Sequence, residues 1–368
     1  MDGLFALGSN GSGQLGLGHK QDVSVPKQVQ FCHVPQDDPI TQVAAGGNHT
    51  VLVTASGRAY WSGYHANGCC GILEGGEEEG DIRPIFRELF LSSPATTGPV
   101  MYAACTWDTT ILAVGDEEGQ ATRVYNCGTP EGVAEGRPVS VQDFPPDGTV
   151  VTGLAAGFRH VIIVLNNGDV YGWGNGKKGQ LGPLDGVANA SGIVTRPRRI
   201  SGVPFKVAQA VCCQHTTCLI AEPGDGRILV LGADKWELRS RAPAEIPSWK
   251  ALAASWGSVY ILKQDGMLVA WGRDDHGQLP PPGLPEISRI AAGSEHIVAL
   301  TEAGDVLAWG WGEHGNCGPH TDDKFGDVKG RWNVLASLRN LPEGSTITAI
   351  GAGCATSWIN IMAEGIFL

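Results

Sequence analysis

The sequence predicts an all-β protein: a seven-bladed β-propeller closed by pairing of its N- and C-terminal strands. Three observations predict this fold. One short motif recurs seven times along the 368 residues, each copy leads into an aliphatic run, and the two ends of the chain carry complementary halves of one repeat. A radial arrangement of four-stranded sheets, with about fifty residues for each sheet, accounts for all three observations.

The first marker of the repeat is a stretch of small residues that ends in a polar residue, reading Ala-Ala-Gly-Gly-Asn-His at 44–49. Its seven copies occupy residues 44–49, 103–108, 155–160, 210–215, 253–258, 291–296 and 351–356. A short aliphatic run follows each copy and ends near a glycine. This order predicts a strand, a tight turn and the next strand.

The second marker is an aromatic or aliphatic strand that closes on glycine, as at 170–174 and 306–310. Six copies follow the first marker, whereas the seventh stands alone at 4–8. No second marker follows the seventh copy of the first marker, at 351–356. We therefore expect residues 3–30 to complete the last blade with residues 345–368, which makes 1–368 a single propeller domain. Proline-led segments at 25–29, 83–86, 137–141 and 196–200 suit the outer strands, where a ladder donor is not needed.

Composition limits the kinds of partner. The net charge of −12, without a basic tail or stripe, disfavours direct binding of nucleic acid and favours a protein partner. No apolar run approaches the ~20 residues that a membrane helix needs, and the repeat begins too early for a signal peptide. The ten cysteines include no CxxC pair, which is typical of reduced thiols in the cytoplasm and nucleus.

Three segments match GxGxxG, at 11–16, 174–179 and 310–315. A dinucleotide site needs a helix after the glycines, whereas here a short loop and an outer strand follow. The recurrence at the repeat period indicates a structural turn. Neither the GxSxG and HExxH motifs nor a local nucleophile–base set is present, so we predict a non-enzymatic protein without cofactor or metal.

Histidine recurs at one position of the first marker, as His49, His160, His215 and His296, and Asp108, Ser258 and Thr356 take its place elsewhere. A ring of blades spreads these residues apart, whereas a metal site needs them within a few ångströms of one ion. We interpret them as structural hydrogen-bonding groups between neighbouring segments.

The repeat resembles that of the regulator-of-chromosome-condensation family. The resemblance rests on Gly-Gln-Leu-Gly at 13–16 and 179–182 and covers essentially the whole chain. Within the family, the segments 5–19, 107–110, 293–296, 309–318 and 353–358 resemble the fungal alpha-tubulin suppressor branch, also described as killer-toxin-insensitivity proteins. The last three of these segments depart from the generic repeat.

This resemblance implies a function. Members of that branch form a heterodimer with a small diphthamide-biosynthesis metal protein whose metal is held by cysteines. The pair supports diphthamide formation on elongation factor 2 and Elongator-dependent modification of wobble uridines in transfer RNA. We therefore expect a protein-binding scaffold with an indirect link to Elongator and without direct nucleic-acid or membrane binding.

The antiparallel order of a blade locates the candidate interface. With strands labelled A to D from the centre outward, the A–B and C–D turns lie on one face, which we call the A–B face. The predicted partner-binding residues all fall on turns of this face: Trp107, Asp108, Glu295, Trp311, Glu313, His314, Asn316 and Cys354. Tryptophan anchors with a few carboxylates suit a modest protein interface. The alternative is that Asp108 and His296 only tie their blades together.

Two other functions remain open. The first is guanine-nucleotide exchange on a small GTPase, as in the founding member of the family. The acidic composition speaks against that member's chromatin role, although the segment 73–99, with its acidic insertion at 74–81, is long enough to hold a wedge. The second is ultraviolet sensing, as in plant relatives with a Gly-Trp-Arg-His-Thr repeat. Only 157–160 comes close to that repeat, with Phe in place of Trp.

Overall fold

A computed structural model of the chain describes residues 3–35, 37–65, 68–73, 82–91, 98–128, 138–184, 192–322 and 325–363. The acidic insertion 74–81, Arg137 and residues 364–368 of the predicted closing segment lie outside the described residues. Two three-residue 3-10 turns, Lys235–Glu237 and Leu338–Asn340, are the helical segments of the described part, and no helix there could cross a membrane.

The remaining regular structure of the described residues is all β. Its strands are β1 (Gly3–Gly8), β2 (Val23–Gln28), β3 (Ile40–Ala45), β4 (His49–Thr54), β5 (Ala59–Tyr64), β6 (Ile72–Leu73), β7 (Ile82–Phe90), β8 (Val100–Cys105), β9 (Thr110–Gly115), β10 (Ala121–Cys127), β11 (Val139–Ser140), β12 (Val151–Ala156), β13 (His160–Leu165), β14 (Val170–Asn175), β15 (Ile193–Arg199), β16 (Val207–Cys212), β17 (Thr216–Ala221), β18 (Ile228–Gly232), β19 (Trp249–Ala254), β20 (Ser258–Lys263), β21 (Leu268–Gly272), β22 (Ile287–Ala292), β23 (His296–Thr301), β24 (Asp305–Gly310), β25 (Val328–Ser337), β26 (Ser345–Gly353) and β27 (Thr356–Ala363).

The two ends of the described chain meet in one sheet, ordered β2-β1-β27-β26. β1 pairs with β27 in antiparallel register from Gly3–Ile361 to Gly8–Thr356. The inner strands then form a closed series of contacts: β26 contacts β3, followed by β8, β12, β16, β19 and β22, and β22 contacts β26 again. The fold is therefore an all-β propeller whose split repeat closes the ring.

The division into blades differs from the prediction. The described strands form six hydrogen-bonded sheets, of which five are separate blades of three to five strands. The sixth is one eight-stranded sheet, ordered β15-β14-β13-β12-β10-β9-β8 with β11 on β10. The prediction of seven four-stranded blades is wrong, because pairing of Ala121 with Val151 joins two repeats into one sheet. Two sheets also lack a fourth strand. After β21 the chain runs through Pro280, Pro281 and Pro282, which cannot donate to a ladder.

The core lies between neighbouring sheets. The largest fully buried side chains include Trp61, Trp309, Trp358, Tyr60 and Tyr260. Each sheet packs between its two neighbours around the ring. Strands such as β4, β13 and β23 are therefore buried along their whole length. This burial fixes each sheet against both neighbours and holds the turns of the A–B face in place.

Three of the four predicted histidines tie neighbouring repeats together. The Nε2 atoms of His49, His160 and His296 lie 3.1, 3.0 and 3.0 Å from the hydroxyls of Thr110, Thr217 and Ser357. The Ser357 hydroxyl donates to the Asn316 carbonyl at 2.7 Å, and so it accepts from the histidine Nε2–H. The structural interpretation of these three histidines is confirmed.

The equivalence assigned to His215 and Asp108 is wrong by one residue. Strand pairing matches Cys212 with Thr217 and Cys105 with Thr110. Thr216 and Thr109 therefore occupy the histidine position, and His215 and Asp108 lie one residue earlier, in the turn. The marker was aligned on residue type, whereas hydrogen-bond register decides which side chain points inward.

Candidate protein-binding face

Both kinds of turn lie on one face of the ring. In six repeats of the described chain, the backbone of the C–D segment donates to an A–B turn of the same sheet: the Trp311 N–H donates to the Glu295 carbonyl at 2.9 Å, and the Asn175 N–H donates to the Arg159 carbonyl at 2.7 Å. The Ser9 N–H donates to Ala355 at 2.8 Å. These bonds place the turns that carry the predicted interface residues on a common A–B face.

Backbone hydrogen bonds join most of the neighbouring A–B turns around the propeller axis. The Gly47 N–H donates to the Trp107 carbonyl at 2.9 Å, and the Trp107 N–H donates to the Phe158 carbonyl at 3.0 Å. Farther around, the Trp256 N–H donates to the Ser294 carbonyl at 2.9 Å. The centre of the A–B face is therefore a rigid platform, since these bonds fix most of the turns to a neighbouring turn.

Three aromatic residues project from these turns and form the central aromatic cluster: Trp107, Phe158 and Trp256. The ring centroids of Trp107 lie 5.2 Å from Phe158 and 5.9 Å from Trp256, and Phe158 lies 5.7 Å from Trp256. Gly47 makes room for this packing, because a Cβ atom there would lie 2.6 Å from the Trp107 indole. All three side chains are half-buried and keep apolar surface toward solvent.

A shallow pocket of about 110 Å³ lies beside the central aromatic cluster on the axis. Its lining also includes Cys105, Cys212, Ser294 and Cys354. Burial raises the pKa of Cys105 to about 12 and that of Cys354 to about 11, so both thiols are protonated at neutral pH. The pocket is consequently uncharged, and it suits an apolar side chain better than an ion.

Trp311 belongs to a second group farther from the axis. Its ring centroid lies 5.4 Å from His314 and 6.4 Å from His276. His314 in turn places Nδ1 2.7 Å from a carboxylate oxygen of Asp22. The two aromatic groups are linked through Ser294 and Glu295, whose carbonyls accept from Trp256 and Trp311.

Two of the predicted interface residues point inward. The Glu295 carboxylate is only 8% exposed and accepts hydrogen bonds from Arg273 and from the Gln278 amide at 2.8 Å. Burial raises the pKa of Glu295, against the lowering effect of these two donors. Asn316 is fully buried, and its amide donates to the Trp311 carbonyl at 2.8 Å. Both side chains therefore position turns of the A–B face.

The other predicted residues lie nearer the surface. Glu313 is exposed, Asp108 is half-buried in the turn that carries Trp107, and Cys354 lines the axial pocket. The structure thus places Trp107, Asp108 and Cys354 near the axis and Trp311, Glu313 and His314 in the outer group. Among the described residues, no cluster of three or more His, Cys, Asp or Glu side chains is arranged to hold a metal ion.

The structure adds Phe158 and Trp256 to the candidate site. Strand register shows that both occupy the position of Gly47 and Trp107 in their own repeats. That position directly follows the small residues of the first marker, so the signal was present in the sequence. Trp236 is also exposed on this face, but it lies in an irregular loop without a repeat signature.

A family model for the RCC1-like domain matches residues 3–359. The chain belongs to the RCC1-like domain family. The RCC1 repeat-containing protein C10F6.04 of Schizosaccharomyces pombe is 32% identical over 298 residues, which cover 75% of this chain and 78% of the relative. The secretion-regulating guanine nucleotide exchange factor of Mus musculus is 31% identical over 299 residues. That match covers 75% of this chain and 61% of the relative.

Two solved structures support the same fold. Prp20p of Saccharomyces cerevisiae superposes with a TM-score of 0.79 at 20% identity, covering 99% of this chain and 92% of that chain. Human WBSCR16 superposes with a TM-score of 0.74 at 18% identity, covering 99% of this chain and 100% of that chain. Structural similarity at identities this low establishes the architecture alone. The evidence for function therefore comes from the A–B face.

Proposed function

We propose that this RCC1-like propeller is a protein-binding scaffold whose partner docks on the A–B face and is anchored by the central aromatic cluster. The observation that carries the proposal is the cluster itself: three half-buried aromatic rings packed together beside an uncharged axial pocket. Aromatic residues at the centre of a rigid platform lose little entropy on binding, which is why they dominate interface energies.

The partner that we propose is a small cysteine-ligated metal protein of diphthamide synthesis, bound as a heterodimer. The complex would support diphthamide formation on elongation factor 2 and Elongator-dependent modification of wobble uridines. What supports this finer proposal is the location of the resembling segments. The turns at 107–110, 293–296, 309–318 and 353–358 all contribute to the A–B face.

Calorimetric titration of the propeller with the purified metal protein tests both levels of the proposal. We expect a one-to-one complex. Trp107→Ala combined with Trp256→Ala should raise Kd at least tenfold, since truncation of a central aromatic anchor costs about 2 kcal/mol or more. Met267→Ala is the matched control. Met267 is 61% exposed and follows the β20–β21 turn, on the opposite face.

The outcomes distinguish the scaffold function on the A–B face from the finer proposal of the metal-protein partner. Equal affinities of the double variant and the control would disprove the anchoring role of the cluster. Trp311→Ala tests whether the outer group belongs to the same interface. A wild-type propeller that fails to bind the metal protein would refute the finer proposal. Capture of a different protein that Trp107→Ala abolishes would keep the scaffold function with another partner.

Guanine-nucleotide exchange is the second candidate. It is favoured by the exchange-factor relative at 31% identity, of which the chain covers 61%. Release of a fluorescent guanine nucleotide from small GTPases, measured with and without the propeller, tests it. Acceleration by the wild-type protein that Met267→Ala preserves and the Trp107→Ala/Trp256→Ala variant abolishes would establish exchange on the A–B face. Unchanged release rates would reject this activity.

A further inference from the structure

A set of cations on the A–B face contrasts with the acidic composition of the chain. Seven of the described arginines pair with carboxylates, as Arg58 does with Glu88 and Arg199 with Asp169. Four exposed cations of the A–B face have no carboxylate within 4.0 Å of their charged nitrogens among the described residues, and with His215 they form what we call the basic arc: Arg159, Lys177, Lys178, His215 and Lys235.

Backbone contacts bring the basic arc together across two neighbouring sheets. The Ala233 N–H donates to the His215 carbonyl at 3.2 Å, which places the loop of Lys235 beside His215. The turn that carries Lys178 packs against β17, where the Thr217 hydroxyl donates to the Gln180 carbonyl at 2.8 Å. His215 is therefore flanked by the ammonium groups of Lys235 and Lys178. Burial, with a further contribution from these two charges, lowers the pKa of His215.

The basic arc borders aromatic surface at both ends. At one end, the Arg159 guanidinium lies 5.5 Å from the ring centroid of Phe158, a member of the central aromatic cluster. At the other end, the Lys235 ammonium and the Arg273 guanidinium lie 5.1 and 5.0 Å from the ring centroid of Trp236. Trp236 is 40% exposed, and its φ of 61° is a conformation that non-glycine residues rarely adopt.

We propose that the basic arc binds an acidic segment of a protein partner. This inference rests on the proposed scaffold function, because it assigns a charge to the partner that docks on the same face. Carboxylates of the segment would meet Arg159, Lys178 and Lys235, while apolar side chains would contact the aromatic residues at either end. Unpaired cations on a rigid face raise both the association rate and the specificity for such a partner.

The surroundings of the basic arc favour an acidic peptide over nucleic acid. The arc is bounded by the exposed carboxylates of Asp234 and Glu237 in its own loop and by Asp274 beyond. A phosphate chain carries a charge at every nucleotide and would meet these carboxylates, whereas a peptide can place neutral residues there. A stacked base would also have to displace the two cations that cover Trp236.

Fluorescence anisotropy with two labelled probes tests the inference: a twelve-residue peptide of glutamate and leucine, and a twelve-nucleotide oligo-uridine. The arc variant is Lys178→Glu/Lys235→Glu. The control is Lys206→Glu/Lys250→Glu, which reverses the same number of charges at the starts of β16 and β19, away from the A–B face. Circular dichroism of both variants confirms folding.

We expect the wild-type protein and the control to bind the acidic peptide, and the arc variant to bind it at least tenfold more weakly. Equal binding by the arc variant and the control would overturn the inference, as would no binding by the wild-type protein. Tighter binding of oligo-uridine that depends on the arc would replace the acidic protein with RNA. The proposed function fails separately, when Trp107→Ala/Trp256→Ala leaves partner affinity unchanged.

Discussion

Mild acid should destabilise this propeller through its three interior histidines. Burial lowers the pKa of His49 to about 4, of His160 to about 3 and of His296 to about 4. The physical cause is visible at Nδ1: in His160 and His296 this atom is buried without a hydrogen-bond partner. Protonation would therefore place an unsatisfied charge between two sheets.

The direction of the pH effect on stability depends on whether the folded or the unfolded chain binds more protons. Between pH 6.5 and 5 the unfolded chain protonates its histidines and the folded chain does not, so unfolding becomes more favourable as the pH falls. Each histidine should cost about 1.8 kcal/mol at pH 5 relative to pH 7, and the three together about 5.5 kcal/mol. That is comparable with the whole stability of many domains.

Carboxylates act in a different pH window. Pairing with Arg199 lowers the pKa of Asp169, so the stability that this carboxylate contributes is present above its unfolded pKa, near 4, and is lost only below that pH. The interval between pH 6.5 and 5 therefore excludes this carboxylate, and the variants below separate the histidines from Glu295, whose pKa burial raises. Urea denaturation followed by tryptophan fluorescence, repeated across this interval, measures how the free energy of unfolding changes with pH.

Variants identify which groups cause the pH dependence of the free energy of unfolding. His160→Asn should lower stability at pH 7 and remove about a third of the pH dependence, because one of the three buried sites no longer titrates. His320→Asn is the control, since His320 is exposed. A free energy of unfolding that stays constant between pH 7 and 5, or the same slope in His160→Asn and wild type, would refute this reasoning.

Two further predictions concern backbone geometry and thiols. Gly8→Ala should destabilise the protein by about 2–4 kcal/mol, because φ is +115° and the new Cβ would lie 2.2 Å from the Ala355 carbonyl oxygen. Gly119→Ala, with a positive φ but open space, should cost only about 1 kcal/mol in the same urea experiment, and equal losses would contradict the steric account. Of the ten cysteines, Cys32 is exposed, whereas burial raises the pKa of thiols such as Cys70 to about 11. One thiol should therefore react quickly with a disulfide reagent at pH 8, and a second fast equivalent would show that an interior sheet opens.

Much of the architecture was predictable because it depends on repetition. The split repeat requires β1 to pair with β27, and the antiparallel order of strands places the A–B and C–D turns on one face. Three histidines at equivalent positions were correctly interpreted as links between repeats. Each of these inferences needs only the spacing of strands and turns, which the sequence displays directly.

The remaining features depend on contacts that spacing does not encode. The pairing of Ala121 with Val151 joins edges of two repeats, and no local pattern specifies how closely such edges approach. The burial of Glu295 depends on Arg273 and Gln278, which come from the preceding repeat. Trp107 shares its repeat position with Phe158 and Trp256 only in the strand register, because the marker was aligned one residue off in the repeat of Trp107.

The pairing of β1 with β27 also governs when the protein can finish folding. β1 can pair early with β2, but β27 is separated from it by most of the polypeptide, so the other edge of β1 has no partner until the residues of β27 are made. During synthesis the exposed edge of β1 is available to other chains and to chaperones. A nascent chain stalled before residue 356 should accumulate as an open, protease-sensitive arc, however well its middle repeats are already packed.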